Sequence, residues 1–102
     1  MLPYAPENIV ALATPPGIGA LAVIRLSGLD LFHTYKLLSK KKPKDRTALY
    51  SEIFHPKSNK LLDRAIITYF KRPNSYTGED VIEISCHGGN IVPNSIILAI
   101  ID

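Results

Sequence analysis

From Val81 to His87 the chain alternates, and that pattern reads as a strand. Side chains in a strand point to opposite faces with a period of two. Ile82, Ile84 and Cys86 therefore share one face, and Val81, Glu83, Ser85 and His87 the other. The first face reads as core. The second sets a carboxylate, a hydroxyl and an imidazole along one line. Gly88-Gly89 follows and lets the backbone turn, or lets a ligand approach, with no Cβ in the way.

The rest of the chain reads around that strand. Residues 1–7 hold two prolines and predict an irregular start. Ile9 to Ala13 is an apolar run of strand length. Thr14-Pro15-Pro16-Gly17-Ile18-Gly19 predicts a loop, because prolines cannot serve a central ladder. Ala20 to Ser27 predicts a strand covered on both faces, interrupted by Arg25. A charge there requires a partner. Asp30 is the expected N-cap of a helix running to about Lys40, with Leu31, Tyr35 and Leu38 inward. Ser39 to Arg46 is a basic connector. It reads as a solvated loop or as a contact to RNA phosphates.

Ala48 to His55 and Leu61 to Phe70 predict a hairpin, turning at Pro56-Lys57-Ser58-Asn59-Lys60. Lys71 to Ser75 predicts a loop. After Gly89, Asn90 is placed to cap a helix with Pro93 in its first turn, although the isoleucines there also suit a strand. The expected class is α+β: a mixed, mostly antiparallel sheet with two or three helices.

Composition bounds the function. The 102 residues suffice for one domain, and the 46% hydrophobic content favours a folded chain. A net charge of +3 permits an anionic partner without demanding one. The single cysteine, Cys86, excludes an internal disulfide and fits a reducing compartment. The N-terminus does not read as a signal peptide, and no apolar run is long enough to span a membrane. His33, His55 and His87 lie too far apart for a metal motif, so no metal ligand is expected. Ending on Ile100-Ile101-Asp102, the chain reads as an N-terminal segment of a longer protein.

Three familiar motifs fail. Gly17-Ile18-Gly19-Ala20-Leu21-Ala22 has the look of a dinucleotide fingerprint, but strand rather than helix follows it. His87-Gly88-Gly89 has no accompanying G-x-S-x-G nucleophile elbow. A P-loop sequence is absent, so GTP has no P-loop site in these residues. Arg25 and Glu83 remain, each within a largely apolar strand. Two readings stand on the residues alone. They form a structural ion pair with each other, or they line a polar pocket for an organic ligand. A carboxylate accepts two parallel hydrogen bonds from an amino-pyrimidinone edge, and arginine forks onto carbonyls or carboxylates.

Ala13-Thr14-Pro15-Pro16-Gly17-Ile18-Gly19-Ala20, Ile24-Arg25-Leu26-Ser27-Gly28, Ser75-Tyr76-Thr77-Gly78-Glu79-Asp80 and Cys86-His87-Gly88-Gly89 occur in order and in register. Together they resemble the N-terminal domain of the tRNA modification GTPase family, MnmE/TrmE, over nearly the whole chain. Asn90-Ile91-Val92 departs slightly, where many relatives carry Gly-Pro or a similar pair. The resemblance implies a fold like the folate-binding aminomethyltransferase domains. It implies one domain over residues 1–102 that binds 5-formyl-tetrahydrofolate or a related tetrahydrofolate and forms a homodimer. The family's folate-binding arginine falls on Arg25 and its glutamate on Glu83; further folate contacts lie outside this chain. No catalytic residue is implied here.

A cytoplasmic parent protein is implied, a GTP hydrolase whose helical and GTP-binding domains lie elsewhere, with magnesium and potassium. It acts with a flavin-dependent MnmG/GidA-type partner on carbon 5 of the wobble uridine of certain tRNAs. The alternatives are a folate-dependent aminomethyltransferase-type domain and a ligand-free dimerisation module.

Overall fold

The computed structural model describes residues 8–14, 21–75, 77–89 and 91–101. Its elements run β1 (Ile9–Leu12), β2 (Leu21–Gly28), α1 (Phe32–Ser39), β3 (Ala48–Phe54), β4 (Leu61–Phe70), β5 (Asp80–His87) and α2 (Ile91–Ile101). The strands form one sheet in the order β1-β2-β5-β4-β3, and each neighbouring pair is antiparallel. The α+β expectation holds, with two helices among the described residues. β5, the last strand in sequence, is the central one, so both edges of its backbone are hydrogen-bonded. Residues 1–7, residues 15–19 of the expected proline loop, Ala20 at the expected start of the next strand, Tyr76 and the proposed cap Asn90 lie outside the described residues.

One face of the sheet carries the core. Ile24 and Leu26 of β2, Ile82, Ile84 and Cys86 of β5, Ile67 and Tyr69 of β4 and Ile53 of β3 are all buried there. Leu31, Tyr35 and Leu38 from the α1 segment and Ile96 from α2 join the same cluster. The alternation in β5, the β3–β4 hairpin and the inner stripe of α1 fall as the sequence predicts. In α2, Pro93, Ile96 and Ala99 are buried on a helical period. Packing that stripe on the sheet overrides the β preference of isoleucine. Burial pushes the Cys86 thiol up to about 11, with the nearby Asp63 charge adding to the effect.

Two expectations are corrected. β2 is not covered on both faces: Leu21 is exposed and Val23 and Arg25 only half-buried, because both helices pack on the same side of the sheet. Asp30 is not the N-cap of α1. Leu31 occupies that position without a side-chain cap. The Leu31 N–H donates instead to Asp80 Oδ2 at 3.0 Å, while Asp30 Oδ1 accepts the Phe32 N–H at 3.2 Å. A buried carboxylate from far along the sequence, set beside Gly28 by the β2–β5 register, thus holds the N–H of the capping position.

Candidate functional site

β2 and β5 pair so that Arg25 stands directly opposite Glu83. The neighbouring registers, Ala11 against Arg25, Thr68 against Glu83 and Ala48 against Thr68, extend the pair into one row across all five strands. By strand alternation this row lies on the face that no described helix covers. Along this row small side chains flank the charged pair, Ala11 on one side and Thr68 and Ala48 on the other, so by side-chain size the row forms a shallow trough between its neighbours. One flank of it is Val23, Ser85, Ile66 and Tyr50, the other Ser27, Val81 and Phe70.

Within the trough, Arg25 Nε and Nη2 donate to Glu83 Oε2 at 2.8 and 2.5 Å. Both bonds land on one oxygen. Among the described residues no hydrogen bond to Oε1 is found, and the Glu83 and Arg25 side chains keep 22% and 37% of their exposure. The pair is neither sealed in the core nor fully hydrated. A carboxylate has about four acceptor positions, so this one retains capacity for donors arriving from the open side. Both predicted residues are therefore brought together, in the one arrangement that serves either reading: an ion pair that also presents an oriented acceptor.

The rim of the trough is tied by a hydrogen-bonded loop. Ser27 Oγ lies 2.8 Å from Thr77 Oγ1 and donates to Glu79 Oε1 at 3.0 Å. Ser75 Oγ donates to the Glu79 carbonyl. Asp80, 3% exposed, anchors the base of this loop. Its Oδ2 accepts from the Leu31 N–H and from Tyr69 Oη at 2.8 Å, and its Oδ1 accepts from the Arg72 N–H at 2.9 Å. Burial by itself would raise the Asp80 carboxyl. The Arg72 and Leu31 N–H groups, the Tyr69 hydroxyl and the Arg72 charge outweigh it, and the carboxyl sits below its ordinary value. Tyr69 is pushed up in turn, by burial first and then by its bond to Asp80.

At the other end of β5 the His87 ring leaves the row. The regular β4–β5 ladder stops at Ile66 against Ser85, and the Asp63 carboxylate takes over as acceptor. It receives the His87 backbone N–H at 3.2 Å and lies 2.9 Å from His87 Nδ1. Burial opposes ionisation of Asp63, but these His87 bonds and the Arg64 N–H bring its carboxyl below the ordinary range. Gly89, at φ +87°, makes the turn into α2. Beside this end, a depression of about 270 Å³ is lined by Leu21, Tyr50, Ile66, Ser85 and His87 among others. The described residues include no cluster of His, Cys, Asp or Glu able to hold a metal. No described helix is long and apolar enough to cross a membrane.

Sequence reasoning missed the parts played by Asp80 and Asp63. Asp80 offered one signal, an acid placed directly before a buried strand. Asp63 offered none beyond its place in an alternating run.

The profile of the family described as "GTP-binding protein TrmE N-terminus" matches residues 8–102. The chain belongs to this family. It is 43% identical over 96 residues to a tRNA modification GTPase MnmE of Francisella tularensis subsp. holarctica, a match covering 94% of this chain and 21% of that protein. It is 44% identical over 96 residues to the MnmE of Francisella tularensis subsp. tularensis strain FSC 198, with the same coverage. To the MnmE of Francisella philomiragia it is 41% identical over 99 residues, covering 97% of this chain and 22% of the relative. The chain thus spans about a fifth of the length of the MnmE relatives it matches. The five-stranded antiparallel sheet with two helices is accordingly the fold of a TrmE N-terminal domain.

Proposed function

We propose that this TrmE N-terminal domain binds a tetrahydrofolate derivative, 5-formyl-tetrahydrofolate or a close relative, on the open face of its sheet. The observation that carries the reading is the Arg25–Glu83 pair. It is half-exposed, fixed by strand register in a row of small side chains, and bonded through Oε2 alone among the described residues. A flat heterocycle suits such a trough. In this role Glu83 accepts hydrogen bonds from the amino-pyrimidinone edge. Arg25 holds that carboxylate in place through its Nε and Nη2 bonds. A folate bound there would supply or position a one-carbon unit. Nothing among the described residues is assigned a catalytic role.

The domain also self-associates in this reading. Ile9, Leu21, Tyr50 and Ile66 stand exposed on the same uncovered face, and a second copy would bury them. The protein as a whole acts in the cytoplasm as a tRNA modification GTPase, and GTP, magnesium and potassium bind outside these residues. With a flavin-dependent MnmG/GidA-type partner it modifies carbon 5 of the wobble uridine of certain tRNAs. An aminomethyltransferase-type role is not favoured by any observation. A ligand-free module is favoured by one, the closure of Arg25 onto Glu83.

Calorimetric titration of 5-formyl-tetrahydrofolate into the complete protein separates these readings. Glu83→Gln replaces one acceptor by a donor. Loss of a charge-assisted hydrogen bond worth ~1.5–3 kcal/mol weakens binding roughly ten- to hundredfold. Equal affinities for the two proteins, with a large fall in melting temperature for the variant, would restore the purely structural pair.

A further inference from the structure

The basic connector between α1 and β3 is not a loose loop. The Arg46 N–H donates to the Tyr69 carbonyl at 2.7 Å, and the Lys71 N–H to Asp45 Oδ1 at 2.7 Å. Asp45 and Tyr69 form a short parallel bridge. These bonds set Lys44 and Arg46 beside Lys71 and Arg72, which begin the β4–β5 loop. At the other end, Lys41 Nζ donates to the Tyr50 carbonyl at 3.2 Å. Lys40 Nζ lies 5.3 Å from the Phe54 ring centre and bonds Asn59 Oδ1. The connector therefore lies along β3, the edge strand of the sheet, from the β3–β4 turn to the end of β4.

Charge is segregated as a result. The connector contributes five cations, the turn Lys57 and Lys60, the loop Lys71 and Arg72. Nine of the chain's 12 Lys and Arg residues thus line one margin, with two of its nine acids, Asp45 and Glu52. Both acids are engaged: Asp45 with the Lys71 N–H and with Arg46 at 3.8 Å, Glu52 with Arg64 at 3.3 Å. The margin is far more basic than the net +3 of the whole chain, and the rest of the chain is net acidic. β3 has seven residues, a span of about 23 Å at strand rise. That is long enough to follow several consecutive phosphates. At its Arg46 end a cavity of about 440 Å³ is lined by Arg46, Phe70, Pro73, Asn74 and Ser75. The Arg46 guanidinium lies 5.6 Å from the centre of the Phe70 ring there. A cation on an aromatic ring makes a ledge on which a nucleobase can stack.

We propose that the β3 margin is a docking surface for an RNA backbone, with a base stacking at its Arg46–Phe70 end. The choice of RNA over other polyanions rests on the tRNA-modification reading above; the surface itself rests on the charge segregation. The test is fluorescence anisotropy of labelled tRNA with the complete protein at ~50–200 mM salt. Lys42→Gln/Lys44→Gln removes two exposed cations from the margin. Ile91→Glu/Leu98→Glu makes the same change in net charge at exposed positions on α2. The margin variant should bind more weakly, and its plot of log affinity against log salt should be flatter by ~1.4, about 0.7 for each lost phosphate contact. The α2 variant should keep the wild-type slope.

Lys71→Gln/Arg72→Gln provides an independent second margin variant, and near-UV circular dichroism shows that each protein is folded. Identical slopes for wild type and both margin variants overturn the proposal. So does margin-dependent binding to phosphatidylserine vesicles with none to tRNA. Folate titration of the same samples keeps the two readings apart. Absent folate binding with a margin-dependent salt slope removes the folate site and leaves the RNA surface standing. The opposite pattern removes only the surface.

Discussion

Replacing Asp80 by Asn should cost this domain more stability than its size suggests. The carboxylate accepts three hydrogen bonds, from the Leu31 N–H, Tyr69 Oη and the Arg72 N–H, and is almost fully buried. Asparagine keeps the shape but offers one oxygen. In its better orientation it retains the Leu31 and Tyr69 bonds and turns its NH2 toward the Arg72 N–H, donor against donor. One charge-assisted bond is lost, ~1.5–3 kcal/mol. For a domain of this length that lowers Tm by roughly 6–24 °C at about 4–8 °C per kcal/mol. The pH dependence carries a second signature. The folded carboxyl sits below its unfolded value. Its contribution is therefore fully present above the unfolded pKa and fades as pH falls through the folded one. Urea unfolding of wild type and Asp80→Asn should show a constant gap above about pH 5 that narrows below about pH 4. Equal stability at pH 7, or a gap unchanged down to pH 3, would refute this account of Asp80.

Two further outcomes follow from burial. Tyr35 is fully buried, and its hydroxyl has no hydrogen-bond partner among the described residues; burial also pushes its pKa up. Tyr35→Phe keeps the edge-to-face contact with Tyr69 at 5.9 Å and should be neutral or stabilising by up to about 1 kcal/mol in the urea midpoint, whereas a loss of more than that would reveal an unrecognised partner. Leu21→Glu/Ile66→Lys, on the uncovered sheet face, should shift sedimentation toward the monomer at a protein concentration where wild type is dimeric, and an unchanged profile would place self-association elsewhere.

Much of the fold was legible because burial is one-sided. The alternation of β5 and the Leu31, Tyr35 and Leu38 stripe each follow from one face meeting the core. What was not legible depends on which strands become neighbours. β5 enters between β2 and β4, and that insertion puts Glu83 opposite Arg25 across 58 residues of sequence. Both residues could be singled out as charges in apolar strands, but their direct bond could not. Asp30 failed as a cap for a similar reason. The Leu31 N–H is held by Asp80, far away in sequence and itself fixed by Tyr69 and Arg72, and Asp30 is left with the Phe32 N–H. The open face of β2 likewise required knowing that α1 and α2 share one side.

The most direct test of the proposed folate site is a charge swap. Arg25→Glu/Glu83→Arg exchanges the two residues across the same register. It preserves an ion pair but moves the oriented carboxylate to the neighbouring strand. Calorimetric titration of 5-formyl-tetrahydrofolate into the complete protein and the swapped variant, with a melting curve for each, reads both properties. A folate site at this pair requires a melting temperature near wild type and affinity reduced by ~100-fold or more, about 2.7 kcal/mol. A swapped protein that melts normally and binds the folate as wild type does would contradict it.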